Sequence, residues 1–388
     1  MKSRMQTALV LILASTILLV AACDNSFGVF SEIQTEIRQV GTDQFKNAAV
    51  RSLDEDGSNY YAVMAKVFKK AKTNGTWAVL PIGTGTPTTS YFSLGFAVDS
   101  SSGTLYAASG NLADSSLIKV FSSTDSGATW TALGSSALLA GSGGSRVVTG
   151  LFFANTTLFA LVQNKSTLKY DLLSYDSQGT QDFAAIAGLA GMDLPLLALA
   201  HNGTRFWAAT RSSLFTSPTG ATFTADTFPG TPSGNETIRG LVRLSDGDIA
   251  VTTGDGQIYV FDAGTSAWAA AVEVNDGVEL GPVLEVPVDP TDGASAKRLI
   301  LGKKDAGYGY YEWNPADSSR LLGNAAGAIF SQPSSNYTTT VYGKPVLSMH
   351  FSDSQDTVLI GLAAQGTDSY ALYSNTFASG SWSGWTAE

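Results

Sequence analysis

Leu117-Ile118-Lys119-Val120-Phe121-Ser122-Ser123-Thr124-Asp125-Ser126-Gly127-Ala128-Thr129-Trp130 reads as strand, tight turn, strand. An alternating run from Leu117 leads into a turn of Ser, Asp and Gly, and Thr129-Trp130 opens a second β-prone segment. Outward from this hairpin the chain repeats itself. From about Asn47 each unit has an apolar strand, a polar turn, a second strand of aromatic and small residues, a third strand, a Ser/Asp/Gly turn and a short closing strand. The second strand is the clearest marker, beginning at Tyr60, Thr104, Thr157, Arg205, Asp248, Arg298 and Thr357.

Seven such copies at a spacing of roughly 40 to 60 residues fit four-stranded blades. The sequence therefore predicts an all-β fold, a seven-bladed β-propeller of four-stranded antiparallel blades. Small residues late in the second strand (Ala108, Ala209, Gly302, Gly361) suit the crowded inner ring. Asp56-Gly57, Ser102-Gly103, Asn202-Gly203 and Asp246-Gly247 are hairpin turns, because Gly, Asn and Asp tolerate positive φ.

The spacing of Ser123, Asp125, Gly127, Thr129 and Trp130 resembles the Asp-box of sialidase-like, BNR-repeat β-propellers, some enzymatic and some not. Degenerate echoes follow the same plan: Thr216 to Phe223 has Pro218 in place of Asp, and Ser174 to Thr180 has shifted spacing around Gly179. Asn74-Gly75-Thr76-Trp77, Ser266-Ala267-Trp268 and Gly380-Ser381-Trp382 keep only the tail. These residues serve turn geometry that a blade needs, so the box is read as structural.

Met1-Lys2-Ser3-Arg4 precedes an apolar run from Ala8 to Val20, the pattern of a secretory signal peptide. It ends in Leu19-Val20-Ala21-Ala22-Cys23, which resembles the bacterial lipobox, and that resemblance implies diacylglycerol attachment at Cys23. The expected organisation is a lipoprotein signal peptide at 1–22, a lipidated N-terminal spacer at 23–46 and the propeller at 47–388. Phe30, Ile33, Ile37 and Val40 recur at helical spacing while Ile33, Thr35 and Ile37 alternate, so the spacer reads either as a short docked helix or as a strand that closes the ring.

Cys23 is the only cysteine, which excludes an intramolecular disulfide and a Cys-based zinc site. Two acyl signals suffice for a stable membrane anchor, so the expected location is the extracytoplasmic side of a membrane in the bacterial cell envelope. Removing residues 1–22 takes away Lys2 and Arg4 and no acid, so the net charge of -10 becomes -12. A body so acidic is repelled by nucleic acid, and no nucleic-acid partner is expected.

Little in the chain points to catalysis. Sialidase chemistry would need three converging arginines and an early Arg-Ile/Leu-Pro motif, yet neither Arg38 nor Arg51 is followed by that proline. No residue context selects three among Arg51, Arg146, Arg205, Arg211, Arg239, Arg243, Arg298 and Arg320. His201 and His350 end the first strands of different units and lack partners at ligand spacing, so no metal and no cofactor is expected. The densest group of binding-type residues is Tyr308, Tyr310, Tyr311 and Trp313, a candidate aromatic platform for a saccharide or peptide, or else packing between blades six and seven. The expected function is a membrane-anchored binding or scaffolding module for a protein or glycan partner. The alternatives are a sialidase-like glycan hydrolase and a surface adhesin.

Overall fold

The computed structural model describes residues 44–388 except 74, 85–91, 112–113, 135–138, 140, 142–144, 178–180, 230–236, 275–277, 305–308, 317–318, 323–327, 331–340, 342–343 and 364–369. At 92, 111, 114–118 and 319–322 it describes the backbone alone. Seven antiparallel sheets follow one another, each with its strands in chain order.

Blade 1 is Ser52–Glu55, Asn59–Val63, Val67–Ala71 and Ala78–Val79. Blade 2 is Phe92–Asp99, Thr104–Asn111, Asp114–Ser123 and Thr131–Leu133, and blade 3 is Arg146–Ala154, Thr157–Asn164, Tyr170–Tyr175 and Phe183–Ala185. Blade 4 comprises Leu196–His201, Phe206–Thr210, Leu214–Ser217 and Thr224–Ala225; blade 5 comprises Ile238–Arg243, Ile249–Thr253, Gln257–Asp262 and Ala267–Trp268. Leu280–Pro287, Lys297–Lys303, Tyr310–Asn314 and Ser319–Leu322 form blade 6, and Val346–Ser352, Thr357–Leu362, Leu372–Ala378 and Ser381–Trp382 form blade 7. Val272–Glu273 and Thr386–Ala387 add short pairings to the third strands of blades 5 and 7. The first strands neighbour one another around a closed ring, with Ser52–Glu55 against Val346–Ser352. The chain is thus a seven-bladed β-propeller, and all seven second strands lie where the repeat places them.

The core of the ring lies in its seams. Each second strand is buried on both faces, and the two-residue period of a strand sends alternate side chains to opposite neighbours. Tyr60 and Ala62 join Leu359 and Leu372 of blade 7, whereas Tyr61 and Val63 join Phe96, Leu105 and Trp130 of blade 2. Seven apolar clusters result, one for each seam. Near the axis the crowding is severe. A Cβ at Gly361 would stand 2.2 Å from Ser348 Oγ and 2.7 Å from Val50 O, so this position tolerates only glycine.

Closure between blades 7 and 1 is non-covalent. Val50 N donates to Leu362 O (3.1 Å), Ala371 N to Phe45 O (2.8 Å), and Ser348 Oγ to Val50 O (2.9 Å). Lys46 forms an antiparallel bridge with Tyr370, and Phe45 is buried against Phe68 and Trp77.

Candidate functional site

The antiparallel meander assigns every turn to a face. Turns between second and third strands, and the crossings from one blade to the next, lie on the upper face, where the innermost strands begin. Turns between first and second and between third and fourth strands lie on the lower face. Contacts agree: Lys344, in the crossing that leads into blade 7, donates to Tyr370 O (3.3 Å) in that blade's turn above, while Ser126 Oγ of blade 2 donates to Asp56 Oδ2 of blade 1 (2.9 Å) below.

Near the upper end, six of the seven innermost strands slip register by a β-bulge. The extra residues include Leu94, Thr149, Leu197, Arg239 and Leu347. A bulge leaves one residue unpaired and re-aims its side chain, here beside the channel mouth. The next residue is small in each case (Gly95, Gly150, Ala198, Gly240, Ser348), because the axis has no room for more. A Cβ at Gly95 would meet Leu151 N at 2.7 Å, and one at Gly240 would meet Gly281 O at the same distance.

Blades 1 to 4 enclose a cavity of about 470 Å³ on this axis, lined by Arg51, Leu94, Leu151, Phe152, Leu197 and Leu199 among others. Its described lining contains no Asp or Glu. Arg51 is exposed at its edge. Across the mouth, Arg239 Nε lies 2.7 Å from Glu279 Oε1, and Lys304 Nζ lies 3.9 Å from the same oxygen. Burial, together with the charges of Arg239 and Arg211, holds Lys304 below the ordinary lysine range despite Glu279.

The arginines therefore divide by face. Arg51, Arg146, Arg211 and Arg239 belong to the upper face, and Arg205, Arg243 and Arg298 to the lower; the side chain of Arg320 lies outside the described residues. The lower face is rich in acids, with Asp99, Asp125, Asp246, Asp289, Asp353 and Asp356 in its turns. The net charge of -10 conceals this division.

The hairpin from Ser123 to Trp130 sits on the lower face and is closed by its own side chains. Ser123 Oγ donates to Asp125 Oδ1 (2.7 Å) and accepts from Gly127 N (2.9 Å). Asp125 accepts from Thr129 N (2.8 Å) and Thr129 Oγ1 (2.5 Å), and these bonds with that from Ser123 lower its pKa to about 2. Trp130 is buried in the seam with blade 1. At the echo in blade 4, Ser217 Oγ accepts from Gly220 N (2.9 Å) and Phe223 is buried, while residues 178–180 of the other echo lie outside the described residues.

The aromatic platform does not form from its described members. Tyr310, Tyr311 and Trp313 are 0%, 5% and 5% exposed. Strand alternation sends Tyr310 to the seam of blades 6 and 7, where its hydroxyl accepts from Trp385 Nε1 (3.0 Å), and Tyr311 and Trp313 to the seam of blades 5 and 6. These three rings stabilise seams and offer no open face, Tyr310 alone between blades 6 and 7 as the packing alternative has it and Tyr311 and Trp313 between blades 5 and 6; Tyr308 and Cys23 lie outside the described residues.

The histidines are separate and locally engaged. His201 packs on Phe206 with ring centroids 4.5 Å apart and accepts from Gly203 N (3.2 Å). His350 Nε2 stands 3.5 Å from Glu55 Oε2, which Lys72 Nζ reaches at 3.0 Å. Among the described residues no group of three or more His, Cys, Asp or Glu side chains is placed to hold a metal. The mouth residues Arg211, Arg239, Glu279 and Lys304 escaped selection in the sequence. Arg239 alone carried a signal, since its pair with Gly240 stands out by charge among the pairs at the head of the innermost strands; Arg211, Glu279 and Lys304 carried none.

No family model matches this sequence, and no curated protein matches it. Solved propellers are similar in fold. The WD40 propeller domain of Doa1 shares 13% identity over 83% of this chain and 93% of its own, with a TM-score of 0.52. YCF48 bound to D1 peptide shares 11% over 86% and 93%, with a TM-score of 0.53. PorZ of Porphyromonas gingivalis, described as an essential surface component of the type-IX secretion system, shares 12% over 88% of this chain and 38% of its own, with a TM-score of 0.50.

Proposed function

We propose that this chain is a lipid-anchored bacterial envelope protein whose Asp-box propeller serves as a binding or scaffolding module for protein partners on the extracytoplasmic side. The anchor rests on the signal-like N-terminus and on Cys23 within Leu19-Val20-Ala21-Ala22-Cys23. The Asp-box reading rests on the hydrogen-bonded Ser123 to Trp130 hairpin, a structural part of blade 2.

The observation that carries the binding function is the upper face: a cavity of about 470 Å³, lined by both polar and apolar groups, beside a cationic mouth on a closed ring whose inter-blade loops lie on that face. Glycan hydrolysis needs two carboxylates about 5 to 10 Å apart at the reacting bond, and the cavity's described lining supplies none. Two similar propellers, described as bound to a peptide and as a secretion-system surface component, are in line with this reading.

The test is capture of the tethered protein from its native envelope, with mass spectrometry of what accompanies it. Recovery of one defined envelope complex supports the scaffold; recovery of glycans alone or of nothing overturns it. In parallel, Cys23→Ser is expected to release the chain from the membrane fraction, and retention there would rule out the lipid anchor.

A further inference from the structure

Three cations from three successive blades meet at the channel mouth. Arg211 comes from the turn after Phe206–Thr210, Arg239 from the bulge of Ile238–Arg243, and Lys304 from the turn after Lys297–Lys303. The backbone fixes their approach: Ile238 N donates to Arg211 O (2.9 Å), and Lys304 N donates to Glu279 O (3.2 Å). Glu279 is the one carboxylate paired with this group among the described residues. It reaches Arg239 and Lys304 and leaves Arg211, exposed on the upper face, with no ion pair among those residues. Arg239 Nε and Nη1 are both buried with no hydrogen-bond acceptor among the described residues, Nε meeting Glu279 only as an ion-pair contact.

The repeat supplies its own control. At the bulge, blades 2, 3, 4 and 7 carry Leu94, Thr149, Leu197 and Leu347, so a neutral residue satisfies the architecture. An arginine there leaves a buried donor unsatisfied, which disfavours the free protein unless an anion completes it. Fork-shaped guanidinium groups match carboxylates, and Glu279 already shows that a carboxylate fits this site. The neighbouring innermost-strand residues Leu197 and Leu241 are apolar, and the chain as a whole repels an extended polyanion. Both facts favour an acid flanked by apolar residues.

We infer that Arg211, Arg239 and Lys304 form a binding site for a side-chain carboxylate of an acidic, leucine-type apolar peptide segment, which takes up Arg211 and the free edge of Arg239 while Glu279 keeps the other edge. This assignment rests on the upper face being the binding face.

The test is fluorescence anisotropy at low salt with the intact protein and a dye-labelled peptide of alternating leucine and glutamate, against its leucine–glutamine counterpart. The glutamate peptide binds and the glutamine peptide does not. Arg211→Gln with Lys304→Gln weakens binding by about tenfold or more, as loss of charge-assisted contacts requires. Glu279→Gln strengthens it, because a competing internal carboxylate is gone. Arg243→Gln, on the lower face, leaves it unchanged, and unchanged thermal melts confirm that the variants fold. The site is overturned if the wild-type chain ignores the glutamate peptide, if both peptides bind alike, if the double variant binds as well as wild type, or if a single-stranded oligonucleotide displaces the peptide more effectively than unlabelled peptide does. Envelope capture by the wild-type chain separates the two levels. A partner recovered in full by a wild-type chain that ignores the glutamate peptide removes this site and leaves the scaffold function standing.

Discussion

Trp130 Nε1 donates to Pro81 O at 2.9 Å, joining the closing strand of blade 2 to the segment that leaves blade 1. The same relation recurs: Trp268 of blade 5 donates to Asp226 Oδ1 (3.1 Å) at the end of blade 4, and Trp382 of blade 7 donates to Val288 O (3.1 Å) after the innermost strand of blade 6. Trp77 of blade 1 completes the ring by donating to Glu388 Oε2 (2.9 Å) beyond blade 7. Each indole therefore packs in a seam and ties its blade to the preceding one. Trp130→Ala is expected to cost about 3 to 5 kcal/mol by urea denaturation, the range for truncating a buried aromatic. Trp130→Phe, which keeps most of the packing and loses the hydrogen bond, is expected to cost about 1 kcal/mol. Equal effects of the two substitutions would mean that packing carries nothing here.

Gly127 has φ +87°, and a Cβ there would stand 2.5 Å from Leu80 Cδ1 in the neighbouring blade. Gly127→Ala combines left-handed backbone strain with overpacking, and about 2 to 4 kcal/mol of destabilisation is expected. Gly103 has φ +72° but open space around its Cβ position, so Gly103→Ala is expected to cost only about 1 kcal/mol from the backbone. The difference between the two melting temperatures measures the inter-blade contact; no difference would show that Leu80 moves aside freely.

The repeat made the ring legible because each second strand must be apolar on both sides, a constraint that survives divergence elsewhere. Tyr60 to Ala65 and Thr357 to Leu362 are recognisable for that reason. The same property hid the fate of Tyr310, Tyr311 and Trp313, since an aromatic run looks alike whether it fills two seams or faces a ligand. The cationic mouth was illegible for a different reason. Arg211, Arg239 and Lys304 lie 93 residues apart from first to last, and only the blade register brings them together. The helix-or-strand reading of Phe30, Ile33, Ile37 and Val40 lies outside the described residues, and Phe45 was not legible as a closing residue because its partners, Phe68, Trp77 and Ala371, come from both ends of the ring.

That closure makes a third prediction. Phe45 is 1% exposed and carries the backbone acceptor for Ala371 N. Phe45→Ala is expected to cost about 3 to 5 kcal/mol as a buried aromatic truncation. Hydrogen exchange should also accelerate first in Leu372–Ala378 and Asn59–Val63, the strands of the closing seam. Uniform acceleration in all seven blades would instead make unfolding wholly cooperative, with no preferred opening.

Glu312 carries the last. Its side chain is fully buried, Oε2 accepting from Ile329 N (2.7 Å) and Oε1 from Phe330 N (2.9 Å). Burial pushes its pKa up to about 7, although both amides and the Arg298 charge favour the ionised form. In the unfolded chain it returns to 4.5, so between those values the folded state holds more protons and stability falls as pH rises. From pH 5 to pH 8 the loss from this group is on the order of 2 kcal/mol. Asp54, raised by burial to about 6 from 3.8, acts in the same direction over a lower window. Urea midpoints should therefore decline steadily from pH 5 to pH 8. Glu312→Gln lowers stability at pH 5, because one of the two amides loses its acceptor, and removes the decline above pH 6, leaving the part that Asp54 contributes below it. A wild-type midpoint that stays level over this range, or a Glu312→Gln protein that keeps the full slope, would show that the carboxyl is ionised throughout and that the Ile329 and Phe330 amides outweigh its burial.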